Sequence, residues 1–203
     1  MGWLSDLWDA VTGVFSSSPP QEPTQPCTNG NCTDAISPER AQEVFDQLAA
    51  NSSIPFDYPP DCCYARATEM VSMMDNMGVQ SRKVWTYGTL VPMTPQNAPV
   101  RFPPGNGQQV IWRYHVAPTV NVTQPDGSVQ PMVMDPSLAS GPVTVNEWNQ
   151  IMSGPGSNLS QTAFTDTDVW YRNQRGRIIT EPSNGRQDAF AGHIATRDAA
   201  LGR

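Results

Sequence analysis

Two adjacent cysteines, Cys62 and Cys63, open the stretch DCCYARATEMVSMMDNM that runs from Asp61 to Met77. Behind them Ala67, Met70, Val71, Met74 and Met77 recur close to a 3.6-residue period, and Gly78 stands where a left-handed helix cap falls. The spacing predicts a helix with a thiol at its start. The first turn of a helix carries unbonded N–H groups and partial positive charge, and both favour thiolate over thiol. That is the chemistry of a cysteine nucleophile, which also needs a base and a group to orient the base.

Only two histidines are available for the base. His193 lies in the polar C-terminal stretch DAFAGHIATRD. His115 lies in QVIWRYHVAPTVNV, an apolar run with strand character. The next apolar run, Val129–Met134, ends in Asp135-Pro136. Taken singly, His115 is a packed strand histidine and Asp135 an acid that opens a turn before proline. Taken in chain order, a helix-start cysteine, a strand histidine and an acid on the neighbouring strand make a nucleophile–base–orienter set.

Several elements must position these residues. Ser37-Pro38-Glu39 is a helix start, followed by the apolar stripe Ala41, Val44, Phe45, Leu48 and Ala49. Lys83–Val91, Gln109–Val122 and Val129–Met134 read as three strands of an antiparallel meander. Between the first two, Pro92–Gly107 is a proline-rich excursion. Pro142–Met152 reads as a short helix with Thr144 and Glu147 in capping-box spacing. One or two further strands are expected within Phe164–Thr180, and a polar tail or short peripheral helix over residues 181–203. Upstream, Trp3, Leu4, Leu7, Trp8, Val11, Val14 and Phe15 share one helical face, which predicts an amphipathic helix over residues 1–15. That helix carries no Lys or Arg, so a protein partner suits it better than a lipid surface. Residues 16–36 are a Ser- and Pro-rich linker, in which Cys27 and Cys32 flank a turn and suit a small disulfide loop in an oxidising compartment.

Composition removes other function classes. Acids outnumber bases 19 to 12 and the bases form no patch in the sequence, which argues against nucleic acid. No apolar run reaches the length of about 18 residues that a membrane-spanning helix needs. The cysteine spacings match no zinc pattern, so neither a metal nor a cofactor is expected. The N-terminus lacks a basic start and has Asp6 and Asp9 within its apolar stretch, unlike a signal peptide.

A cysteine helix packed on an antiparallel sheet that bears His and Asp is an α+β, papain-like or transglutaminase-like layout. The segments DCCYARATEM, YHVAPTV and VMDPSLASGPVTVNEW resemble the bacterial protein-glutaminase family over roughly residues 37–180. The resemblance implies Cys63 as nucleophile, His115 as base and acid, and Asp135 as orienter. The 20-residue step from His115 to Asp135 suits the family. The longer Cys-to-His interval is accounted for by the Pro92–Gly107 excursion, and Cys62 replaces the family's glycine. Tyr64, Trp112 and Cys62 are the candidate substrate contacts.

The implied reaction is deamidation of protein-bound glutamine to glutamate with release of ammonia, through a thioester. The same residues would also serve a papain-like protease or a transglutaminase. A non-catalytic module acting through the N-terminal helix belongs to another class. The resemblance further implies a protein or peptide substrate and export from a bacterium, as a toxin or effector or as a scavenging enzyme. Without a recognisable signal peptide the cytoplasm is the alternative compartment.

Overall fold

The computed structural model describes residues 34–203. The amphipathic helix expected over residues 1–15, most of the linker and the Cys27–Cys32 loop lie outside them. The described chain begins by pairing Ile36 with Val122, and then enters helix α1, Pro38–Ala49. Ser37 caps this helix by accepting from the Arg40 amide at 3.2 Å, and Pro38 occupies its first turn, where no backbone donor is needed. Its buried face is Ala41, Val44, Phe45 and Leu48 of the expected stripe, whereas Ala49, the last residue of the helix, is exposed.

Helix α2, Cys63–Asn76, follows the loop of residues 50–62 and ends before Gly78, whose φ of 69° is the left-handed turn expected there. The strands are β1 (Arg82–Leu90), β2 (Arg101–Phe102), β3 (Gln108–Gln109), β4 (Trp112–Thr123), β5 (Val129–Val133), β6 (Val143–Thr144), β7 (Asn158–Thr165), β8 (Val169–Arg172) and β9 (Ile178–Thr180). Two further helices are α3 (Val145–Ile151) and α4 (Gly185–Leu201). The five-stranded sheet has the order β6-β5-β4-β1-β7, with antiparallel neighbours throughout.

The predicted meander is therefore the centre of the sheet, and β7 is an edge strand that the sequence did not announce. Its sequence, NLSQTAFT, is polar because an edge strand buries little: Asn158, Ser160 and Gln161 are exposed, and only Thr165 is fully buried. The fold is α+β. Helices α1 and α2 cover one sheet face, with Met70, Val71 and Met74 against Val120 and Val122. Helix α3 covers the other, with Trp148 and Val145 against Val84, Ala117 and Val133. The excursion 92–107 forms the β2–β3 hairpin, and Phe102 meets Tyr58 edge to face at 5.1 Å.

Residues 181–203 differ most from the expected polar tail. They form the 17-residue helix α4, which docks beside α2 through ions rather than through a broad apolar stripe. Arg186 reaches Glu69 at 3.2 Å and Arg197 reaches Asp57 at 2.9 Å. The segment 165–172 is tied to the sheet by alternate residues of β1. Lys83 Nζ donates to the Val169 carbonyl at 2.7 Å, Trp85 Nε1 to Thr165 Oγ1 at 2.9 Å, and Tyr87 Oη to the Arg172 carbonyl at 2.9 Å. Burial lowers the Lys83 ammonium to a pKa of about 8, with Glu181 and Asp168 opposing the shift.

The loop that delivers α2 is held from inside the helix. Arg66 is buried, and its Nη1 donates to the carbonyls of Asp61 at 2.8 Å and Tyr58 at 3.0 Å. A buried cation on carbonyl groups fixes the loop only while every donor is matched. Arg66→Met leaves those carbonyls unpaired and should lower stability by about 3 kcal/mol. Arg66→Lys should recover little of this, because one ammonium cannot reproduce the guanidinium fork. Denaturant midpoints of both variants check this, and a wild-type midpoint for Arg66→Met would refute it.

Candidate active site

Cys63 is the first residue of α2, so its backbone N–H is one of those that a helix start leaves unbonded. Cys63 is 7% exposed. It packs among Ala67, Trp85, Tyr87 and Val116, below the half-buried rings of Tyr64, Tyr114 and Tyr171. Burial pushes the Cys63 thiol up to about 12, against the opposing pull of Arg66 and of the Val116 amide. Desolvation thus opposes the preference for thiolate that a helix start provides.

His115 and Asp135 are brought into direct contact. His115 Nε2 stands 2.8 Å from Asp135 Oδ2, and both residues are almost wholly buried. A carboxylate only accepts, so Nε2 carries a proton, and whenever the ring is neutral Nδ1 is its basic nitrogen. Trp148 Nε1 donates to the same Oδ2 at 2.9 Å, while Ser137 donates to Oδ1 through its amide at 3.1 Å and through its hydroxyl. The imidazole lies between two indoles, Trp112 at 4.3 Å and Trp148 at 5.4 Å between ring centroids. Burial alone would raise the Asp135 pKa. The charge and N–H of His115, then Ser137 and Trp148, reverse this and hold it at about 2.

Sequence reasoning missed Ser137 and Trp148. Both lay within the DPSLASGPVTVNEW segment. A serine two residues after an aspartate signals a turn in which it bonds that carboxylate. The capping box, seen here with Thr144 accepting from Glu147 N, starts the helix that aims Trp148 inward.

Cys63 and His115 reach the same part of β4 from different sides. His115 pairs with Thr86 across β1, and Thr86 Oγ1 bonds Asn149 of α3 at 2.7 Å, so both point to the α3 face. Cys63 meets the next residue, Val116, from the α2 face. Among the described residues no hydrogen bond joins Cys63 to His115. Strand β5 pairs with β4 only from Thr119 to Thr123, so the stretch holding His115 and Val116 has no strand partner opposite β1. An unpaired edge is where groups from two sheet faces can meet.

The candidate contacts divide. Trp112 covers His115, and its indole N–H donates to the Pro59 carbonyl at 2.8 Å, which joins β4 to the cysteine loop. Tyr64 meets Trp170 edge to face at 5.0 Å and lines a cavity of about 500 Å³ with Tyr171 and Ile179. Cys62 touches no open surface: it is fully buried beside Ala65 and Trp170, under Ala189 and Phe190 of α4. Its burial does not suit the substrate contact expected of it. Its φ of 78° is a left-handed conformation, the physical reason that a glycine suits this position. Cys62 and Cys63 are both free thiols. Among the described residues no group of three or more His, Cys, Asp or Glu is placed to hold a metal, and no helix is long and apolar enough to cross a membrane.

Two outcomes follow from this geometry. The Asp135 pKa lies below its ordinary 3.8, so its stabilisation is present above about pH 4 and is lost as pH falls towards 2. Wild type should therefore exceed Asp135→Asn in stability by a margin that shrinks by roughly 2 kcal/mol over that window, measured by denaturant unfolding. A margin independent of pH would refute the pairing. At the left-handed position, Cys62→Gly should be more stable than Cys62→Ala by about 1 kcal/mol, read as a difference in midpoint.

The sequence and the fold were both compared with known proteins. A glutaminase family model matches residues 41–152, more than half of the chain and inclusive of all three candidate residues. No curated protein matches the chain. Three solved structures are similar. A crystal structure of protein-glutaminase has 26% identity and a TM-score of 0.66, with 81% of this chain and 89% of that one covered. The NMR structure of protein-glutaminase from Chryseobacterium proteolyticum has 27% identity and a TM-score of 0.64, covering 82% and 89%. A crystal structure of pro-protein-glutaminase has 27% identity and a TM-score of 0.67, covering 84% and 62%. With these motifs, this fold and this match, the chain belongs to the protein-glutaminase family of glutaminases.

Proposed function

We propose that the chain hydrolyses the side-chain amide of protein-bound glutamine, with Cys63 as nucleophile, His115 as general base and acid, and Asp135 as the group that orients His115. The observation that carries this reading is the buried His115–Asp135 pair, which leaves imidazole Nδ1 as a base beside the strand residue that Cys63 touches. Family membership supports the choice of glutamine over a peptide bond.

The resting thiol is protonated at neutral pH, because burial raises its pKa to about 12. Attack and deprotonation therefore go together. His115 Nδ1 takes the thiol proton across the unpaired edge of β4 as sulfur adds to the glutamine γ-carbonyl. The Cys63 backbone N–H, unbonded at the helix start, stabilises the developing oxyanion. The imidazolium returns its proton to the amide nitrogen, ammonia leaves, and an acyl thioester remains on Cys63. His115 then removes a proton from water as it attacks the thioester. The product is glutamate, and the proton goes back to sulfur. Asp135 stays ionised throughout, since His115, Ser137 and Trp148 hold its pKa at about 2. Two indole planes around the ring keep it from rotating away from Asp135.

Incubation with a glutamine-containing protein should release ammonia while the substrate chain stays intact. Cys63→Ala and His115→Ala should abolish release, and Asp135→Asn should lower kcat by about 10²- to 10⁴-fold with little change in KM. Substrate fragments without ammonia would replace deamidation by proteolysis. Ammonia release undiminished in Cys63→Ala would remove that residue from the mechanism.

A further inference from the structure

Four of the eleven arginines of this acidic chain are paired with carboxylates within the fold. Arg40 pairs with Glu43, Arg186 with Glu69 and Glu181, Arg197 with Asp57 and Asp198, and Arg203 with Asp57. Arg66 is satisfied by carbonyls. Arg82, Arg101, Arg113, Arg172, Arg175 and Arg177 have no salt bridge to a carboxylate among the described residues. Three of these, Arg113, Arg172 and Arg175, converge at one place. Arg113 and Arg175 line a cleft of about 280 Å³ together with Tyr87, Tyr114, Tyr171 and Gln174, and no acidic residue lines it. Arg172 lies over the Tyr87 ring at 5.5 Å, and its Nη1 is buried without a hydrogen-bond partner.

This cleft adjoins the candidate active site. Its back wall, Tyr87, Tyr114 and Tyr171, belongs to the aromatic cluster that encloses Cys63. Arg113 is two residues from His115 on β4, and Tyr114 immediately precedes it. A burial-raised Tyr114 hydroxyl stays neutral and remains a donor. The cleft therefore offers neutral aromatic walls and exposed guanidinium groups, within a chain whose net charge is −7. Guanidinium groups recognise carboxylates through paired, charge-assisted hydrogen bonds.

We propose that this cleft is a specificity subsite that receives the residues flanking the target glutamine and selects polypeptide segments with Asp or Glu beside it. The inference rests on the deamidation reading for its target residue but not for its chemistry, which is carboxylate recognition. The phenol rings supply an apolar wall for the flanking side chain's methylenes, and Arg113 and Arg175 receive its carboxylate. A glutamate made at one position would then serve as the acidic flank of a neighbouring glutamine.

The test is binding to full-length Cys63→Ala protein, followed by fluorescence anisotropy, of labelled peptides that carry one glutamine flanked by Glu, Ala or Lys. The Glu-flanked peptide should bind about tenfold more tightly than the Ala-flanked one, with the Lys-flanked peptide weakest, and high salt should compress the series. Arg113→Gln/Arg175→Gln should bring the Glu-to-Ala ratio close to one, while Arg40→Gln, on α1 away from the cleft, should preserve it. Arg113→Glu/Arg175→Glu should invert the order and favour the Lys-flanked peptide. Equal affinity for the Glu- and Ala-flanked peptides, or a preference that survives the double substitution, would overturn the subsite. Ammonia release from the same peptides by the wild-type protein is a separate reading. Its absence would count against deamidation and leave the binding preference as measured.

Discussion

A carboxylate removed from water must be matched by donors or it will neutralise itself, and the centre of this protein is built around that demand. Asp135 is almost wholly buried and receives His115, Trp148 and both donors of Ser137. Each donor comes from a different level of the fold. Ser137 belongs to the turn that ends β5, His115 to the long strand β4, and Trp148 to helix α3 on the outer face. The ionised state of one side chain therefore fastens a turn, a strand and a helix into one arrangement. The same contacts define which imidazole nitrogen is basic.

A second constraint acts on the thiol side. A helix start favours thiolate, but a thiol packed among five aromatic side chains loses hydration, which opposes that preference. The outcome at Cys63 is a thiol that burial holds protonated, so the proposed attack needs a base at that moment. In the proposed reaction the oriented His115 is then a requirement rather than an accessory. Arg66 serves this side by fastening the loop before Cys62 to the interior of α2. Trp112 links the two sides, since it covers His115 with its ring and bonds the same loop through its indole N–H.

Electrostatics separate the rest of the molecule into two zones. Helix α4 and the cysteine loop are laced by Arg–carboxylate pairs that satisfy charge internally. Around β8 and the start of β4 the arginines face a cleft with no acid to answer them. Neutralised charge fastens one region, and unmatched charge remains available to a ligand in the other.

Much of this was legible in the chain itself. The stripe of α1, the helix start at Cys63, the left-handed Gly78, the three central strands and the Thr144–Glu147 box are all local signals, set by periodicity, capping and turn chemistry within a few residues. The order Cys63, His115, Asp135 was legible for the same reason, because residue type and sequence spacing carry it. Non-local effects had to wait for the fold. Strand β7 is polar because of its place at the sheet edge, and α4 is held by ion pairs that periodicity does not record. The raised pKa of Cys63, the burial of Cys62 beneath α4, and the gathering of Trp148, Ser137 and His115 on one carboxylate arise from side chains brought close by packing. Sequence by itself determined which groups are present and which elements carry them. Tertiary structure decided which of those groups lose water and which face one another, because desolvation and hydrogen-bond geometry are properties of three-dimensional neighbours.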